Sequence, residues 1–432
     1  MDDRAYSRRR WTIFGVLALI YILVYFYRVS LAVVAGDISR ELKLTPQQLG
    51  SLSGILFYVY AVAQLPLGPM IDRLGSRLVI SGSGILTAIG GILFSQANSL
   101  SSAMTARVLI GIGTASVLMA TLTIFSHWFS RQEFGRVSGF MVAVGNLGNL
   151  LATAPLALAV AAVGWRSSFL AIGIVQILVT LLVFGMVRDR PTAVATDALT
   201  HSSPPDSGPP PLAPPLIQGG MTGGVMAAWG DIFGSRDFWL LAGIAFAWYG
   251  NYLALQGLWG GPYLMDVLHL SRESAGTMLM FTSLGFITGS TVTDSIARRI
   301  FRSYKRTLLA GQLALALLMT GFLGWVELLP PPFLMALFFA IGLAVSSGVM
   351  IYPIIRAMFP VQIVGTALTS LNFFVLMGAA STQQVMGIII GAYGRTAGGA
   401  PSAGFHTAFL LPIVSLSVAI VLFFFAKDYT ER

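Results

Sequence analysis

Cysteine is absent from the 432 residues, so no disulfide, thiolate nucleophile or cysteine-ligated metal can form. Histidine is nearly absent: His127, His201, His269 and His406 are too dispersed to hold a metal together. No metal or cofactor is therefore expected. Charge is scarce as well, at 10% of residues, where a soluble globular domain carries about a quarter. The 17 Asp and Glu fall in termini, loops or the ends of apolar runs, and none sits mid-run. That excludes the acid–base pair an intramembrane enzyme needs and weakens any buried carboxylate proton relay. No nucleotide or nucleophile motif appears, and an enzyme is not expected.

What is present is apolar sequence in quantity. Hydrophobic residues make up 56% of the chain, and the mean hydropathy is +0.79. About twelve runs of roughly 18–25 residues are long enough to cross a bilayer as helices. They fall at 12–36, 48–70, 78–97, 102–128, 134–162, 166–187, 237–261, 273–294, 305–326, 332–358, 362–390 and 404–426. The net charge of +9 would suit nucleic acid, but its placement argues otherwise. Most of the 26 Lys and Arg sit in alternate inter-run segments, which is the positive-inside pattern. It places both termini in the cytoplasm and makes the lipid bilayer, not nucleic acid, the partner. Short loops and the lack of a targeting extension suit a bacterial inner membrane.

Residues 191–235 break the apolar pattern with Pro, Ser, Gly and Ala, as a flexible cytoplasmic linker would. The expected domains are thus an N-terminal six-helix half (1–190), this linker, and a C-terminal six-helix half (236–432). Internal repetition supports the division. The turn Gly68-Pro-Met-Ile-Asp72-Arg73-Leu-Gly75-Ser-Arg77 returns in degraded form as Asp294 to Arg299. Trp128-Phe129 with Gly135 matches Met358-Phe359 with Gly365, and Gly164 with Phe169 matches Gly404 with Phe409. Six-plus-six repeats of this kind enclose a midplane site that opens to each side in turn.

The motif Gly-x-x-x-Asp-Arg-x-Gly-x-Arg at Gly68, Asp72, Arg73, Gly75 and Arg77, with Arg107, Gly111 and Gly113 in the fourth run, resembles the signatures of the major facilitator superfamily. The resemblance covers the whole chain except the linker. It implies an all-α membrane protein of twelve transmembrane helices in two pseudo-symmetric six-helix halves, monomeric by family default. It also implies that Gly68–Arg77, with Asp294 and Arg299, latches the outward-facing state. Read from the residues alone, the same turn is a basic anchor.

Arg28 stands inside the first run, where a cation costs about 2.5–3.5 kcal/mol or more. Tyr21, Tyr25 and Arg28 share a helical face. Snorkelling to the surface is one reading; a guanidinium aimed into a cavity to hold an anion is the other. Arg10-Trp11-x-Ile13-Phe14 followed by Tyr21, Tyr25 and Arg28 resembles the first helix of the organophosphate:phosphate antiporters. Tyr-x-x-Arg with Val-Ser-Leu is similar to the anion:cation symporters. In both branches the arginine binds the anion. The antiporters' second arginine, on the seventh helix, has no counterpart in 238–261, which favours a monovalent carboxylate over a phosphate ester.

The seventh run is rich in polar aromatics. Trp248, Tyr252, Gln256 and Trp259 fall on one face at helical steps, and Trp248, Tyr252 and Gln256 are expected to line the cavity. Tyr60 and Gln64 on the second helix and Asn372 on the eleventh are further candidates, with interhelical bonding as the alternative. Arg107 is either a coupling residue or a structural arginine on helix carbonyls, and His127 is a second coupling candidate. The expected function is secondary active transport of a small organic anion, such as a monocarboxylate or sugar acid, by alternating access, with protons or a counter-anion as coupling partner. Two alternatives stand beside it. Gln256-Gly-Leu-Trp-Gly-Gly-Pro-Tyr263 resembles carriers of amino acids or small peptides, and some superfamily members act as membrane sensors.

Overall fold

A computed structural model describes residues 3–191, 223–394 and 400–429. The side chains of several helical positions, Asp72 among them, lie outside that description. Among the described residues there are helices and turns but no strand. The helix starts are written locally. Thr45 with Gln48, Ser99 with Ser102 and Ser130 with Glu133 form reciprocal capping boxes, each satisfying backbone N–H groups that the first turn leaves open. Ser235, Ser271 and Ser303 cap later helices through the side chain alone.

The N-terminal half comprises α1 (Asp3–Val29), α2 (Leu31–Glu41), α3 (Pro46–Leu74), α4 (Ser76–Ser95), α5 (Leu100–Ala115), α6 (Val117–Trp128), α7 (Arg131–Leu151) and α8 (Ala154–Met186). After α9 (Gly223–Gly234), the C-terminal half holds α10 (Arg236–Leu253), α11 (Arg272–Ile296), α12 (Tyr304–Met319), α13 (Pro331–Ser346), α14 (Ile351–Met358), α15 (Val361–Ala392) and α16 (Ser402–Phe424). Ten described helical stretches are long and apolar enough to cross a membrane. One of them, Arg136–Met186, contains Gly164 at φ 79°, a backbone that splits it into two spans. The 29-residue α3 is a further long helix among the described ones. Large apolar side chains such as Leu158, Leu181, Leu317 and Val421 face outward, as a lipid solvent requires.

Among the described residues, α7 gives way to α8 at Ala152–Thr153 within one span, and four further spans are interrupted at matching places in the two halves. α1 gives way to α2 at Ser30, and α10 passes into a π-helical turn at Ala254–Trp259. α5 gives way to α6 at Ser116, and α13 passes through a 3-10 turn at Ser347–Met350 into α14. Pro353, in the first turn of α14, has no N–H to continue the ladder. Part of the expected linker is helical: α9 buries Ile232 and Ala228. Positions 192–222 lie outside the described residues.

The halves meet at one end. Ala32 presents its carbonyl to Gly261 so closely that a Cβ there would collide with it. Gly276 faces Ala154 and Ala157, and Gly387 faces Pro46. Asp37 pairs with Arg272 across the halves at 2.5 Å, with side chains 17% and 23% exposed. At the same end, the Trp165 indole N–H and Arg166 hold the Glu41 carboxyl below the usual carboxylate range.

Candidate substrate site and its relatives

At the opposite end, which carries Arg8, Arg9 and Arg10, lie the described residues of the expected latch. Gly75 makes the turn at φ 82°, and an added Cβ would sit 2.8 Å from Asp189. Both constraints demand glycine. Asp189 accepts the Arg77 backbone N–H at 2.7 Å and so caps α4. The Arg77 guanidinium donates to the Phe184 carbonyl at 2.9 Å and lies over the Phe184 ring. Arg73 is exposed. Asp294 pairs with Arg298 one turn on rather than with Arg299, which is exposed. Gly68 and Asp72 fall at positions whose surroundings are not described. None of the described latch residues bridges the halves.

Between the Asp37–Arg272 end and the Arg8–Arg10 end lies Arg28. It is 8% exposed, and its guanidinium sits 4.7 Å from the Tyr25 ring centre and 4.8 Å from that of Tyr60. This is cation–π geometry. Its Nη1 makes a long contact, 3.5 Å, to the Tyr249 hydroxyl of the other half. Its Nε is buried without a partner among the described residues. No described carboxylate pairs with it. Tyr21 stands behind, its hydroxyl donating to Tyr25 at 3.4 Å. Guanidinium N–H groups held among aromatic rings without a counter-ion are an arrangement suited to an anion.

The aromatic wall continues on the C-terminal half. Trp248 donates to the Val345 carbonyl at 2.8 Å and packs its ring against Gly348. Tyr252 accepts from Asn149 at 3.1 Å and stacks on Phe286. Gln256 is not brought to this cluster. Its amide donates to Leu279 and Ser283 inside the C-terminal half, and it is fully buried. Uniform α-helical spacing would have put it on the Trp248 face, but the π-turn beginning at Ala254 rotates later residues off that face. Gln64 and Asn372 bond each other across the halves at 2.9 Å.

Two residues at the site escape the sequence pattern. Tyr249 follows Trp248 directly and lies off its face, and Tyr352, in the first turn of α14, stands one turn beyond the Gly348 against which Trp248 packs. Arg107 is 1% exposed and donates to the carbonyls of Tyr27 at 3.0 Å and Leu52 at 3.3 Å. The backbone of α1 just before its break is thereby pinned to α3. His127, half-buried at the end of α6, bonds the Thr123 carbonyl.

The Major Facilitator Superfamily description matches residues 17–326. The chain belongs to that superfamily. It is a multi-pass integral membrane transporter rather than an enzyme. It is 26% identical over 285 residues to the "Probable L-galactonate transporter" of Escherichia coli (strain K12), a match covering 64% of this chain and 60% of that one. It is also 26% identical over 333 residues to the "Probable sulfoacetate transporter SauU" of Cupriavidus necator, covering 75% and 72%. Among solved structures, a bacterial homolog to the human lysosomal transporter Spinster, inward-facing and unoccupied, superposes with a TM-score of 0.76 at 19% identity over 97% of both chains. That likeness speaks for the fold.

Proposed function

We propose that this transporter carries a small organic anion, a sugar acid or similar monocarboxylate, with Arg28 binding the anionic group. The observation that carries the reading is a buried guanidinium that, among the described residues, has no carboxylate and no partner for its Nε, ringed by Tyr25, Tyr60 and Tyr249. A bound anion offsets a charge that is costly inside the membrane and bridges the halves from Arg28 to Tyr249. Relatives named for galactonate and sulfoacetate support this: each molecule ends in a planar or tripodal oxyanion that a guanidinium grips through paired bonds. Tyr25, Tyr60, Tyr249, Trp248 and Tyr252 shape the pocket.

The mechanism we infer is alternating access, with 1–190 and 236–432 rocking as two bodies about the 191–235 linker. Positive-inside placement supports putting the Arg8–Arg10 end and both termini in the cytoplasm, and the short loops support a bacterial inner membrane. The closed Asp37–Arg272 end is then the outer one, and the state described is inward-facing.

Thermal stabilisation of the purified protein tests the reading. An aldohexonate at about 100 times its dissociation constant stabilises by about 2.7 kcal/mol through mass action. The expected result is a raised midpoint for wild type and none for a still-folded Arg28→Ala. Equal stabilisation of both proteins by neutral sugars alone would end the anion-site reading.

A further inference from the structure

Resting on the carboxylate reading of Arg28, we propose that Tyr352 is a specificity-determining residue: its phenol reads a hydroxyl at the end of the substrate remote from the carboxylate. Tyr352 is 40% exposed, and packing ties its helix to the Arg28 cluster: Tyr249, which contacts Arg28, follows Trp248, whose ring seats against Gly348, one turn before Tyr352 on the same face. Gly348 and Tyr352 share a helical face, and that face meets Trp248 of α10, so it turns toward the Arg28 cluster and the central cavity.

The backbone explains its position. The Trp248 ring seats against Gly348, where any side chain would collide, and so fixes α10 against the 3-10 turn. Tyr352 follows one turn later, at the start of α14. α1 leads away from the Arg8–Arg10 end and α14 leads toward it, so the two helices run in opposite senses. Helical side chains lean toward their own N-terminus. Arg28 therefore reaches toward the open end and Tyr352 reaches back from it, and the two converge.

The hydroxyls of four other cavity tyrosines are engaged. Tyr21 meets Tyr25, Tyr249 meets Arg28, and Tyr252 meets Asn149. Among the described residues the Tyr352 hydroxyl has no hydrogen-bond partner, so it is available to a ligand. A ligand held at Arg28 and extending toward the open end meets Tyr352 last. The two anchors belong to different halves, so a substrate that satisfies both ties the halves together.

The test uses transport in proteoliposomes with an aldohexonate and its 6-deoxy counterpart, comparing wild type, Tyr352→Phe and Arg28→Ala. One hydrogen bond is worth about 2- to 10-fold in affinity. Tyr352→Phe is expected to raise the half-saturation concentration for the aldohexonate by that factor, leave the 6-deoxy acid unchanged, and preserve the maximal rate for both. An equal change for both acids, or none for either, would overturn the proposal while leaving the Arg28 reading standing. Transport of both acids undiminished in Arg28→Ala would remove the carboxylate reading itself, and this one with it.

Discussion

The closed end can be locked covalently, and the geometry says where. An ideal Cβ at Gly391 lies 4.0 Å from the Gln47 Cβ, across the seam between α15 and α3. Disulfides form at Cβ separations of about 3.5–4.5 Å, so Gln47→Cys with Gly391→Cys should oxidise without backbone movement. The chain has no native cysteine, so every thiol counted belongs to the pair. Opening this end by rocking pulls the two helix ends apart, and a disulfide stores several kcal/mol of strain once its geometry departs from that window. A penalty of about 4 kcal/mol makes the opened state roughly 1,000-fold rarer. Maleimide mass-tagging reads the cross-link, and uptake into proteoliposomes reads the cycle. Oxidation should consume both thiols and reduce uptake to background; reductant should restore it; each single variant should be indifferent to oxidant. Failure of the thiols to pair, or full uptake by the cross-linked protein, would refute the closed-end assignment.

Two further outcomes follow from the same seam and from Arg107. Arg272→Ala removes the cross-half partner of Asp37, a largely shielded pair for which about 1 kcal/mol is reasonable. It should raise the labelling rate of a single cysteine at position 391 about 5-fold, and the swap Asp37→Arg with Arg272→Asp should bring the rate back; an unchanged rate in Arg272→Ala would show that the pair does not hold the end closed. Arg107→Gln loses charge-assisted bonds to the Tyr27 and Leu52 carbonyls, each worth about 1.5–3 kcal/mol, so a lowered melting midpoint is expected. Abolished transport with an unchanged midpoint would instead favour a coupling role.

Much of this architecture is legible in the order of the residues. Apolar runs of bilayer length, basic residues in alternate loops and the recurrence of Asp72–Arg77 as Asp294–Arg299 point to the fold, because a membrane solvent leaves few alternatives. Arg28 is legible for the same reason: an intramembrane cation has few explanations. The wall of the site is less so. Tyr249 is hidden because a face count starting at Trp248 skips its neighbour. Gln256 is misplaced when helical periodicity is extended through a turn that is π-helical. The latch motif is recognisable, but the acceptor for the α4 N-terminus is Asp189, more than a hundred positions away, a pairing no local pattern contains.

The division has a physical basis. Hydropathy, charge placement, caps and the cost of a buried cation act locally or against a uniform solvent, so sequence alone determined the apolar runs and the repeat and singled out Arg28 as a candidate. Which hydroxyl faces Arg28, which end is closed and what Arg107 holds depend on helices that approach from distant parts of the chain. Small breaks at Ser30, Ala254 and Ser347 set their rotation. Only tertiary packing decided those, because a rotation of one helix changes its neighbours while leaving the pattern of its own residues unaltered.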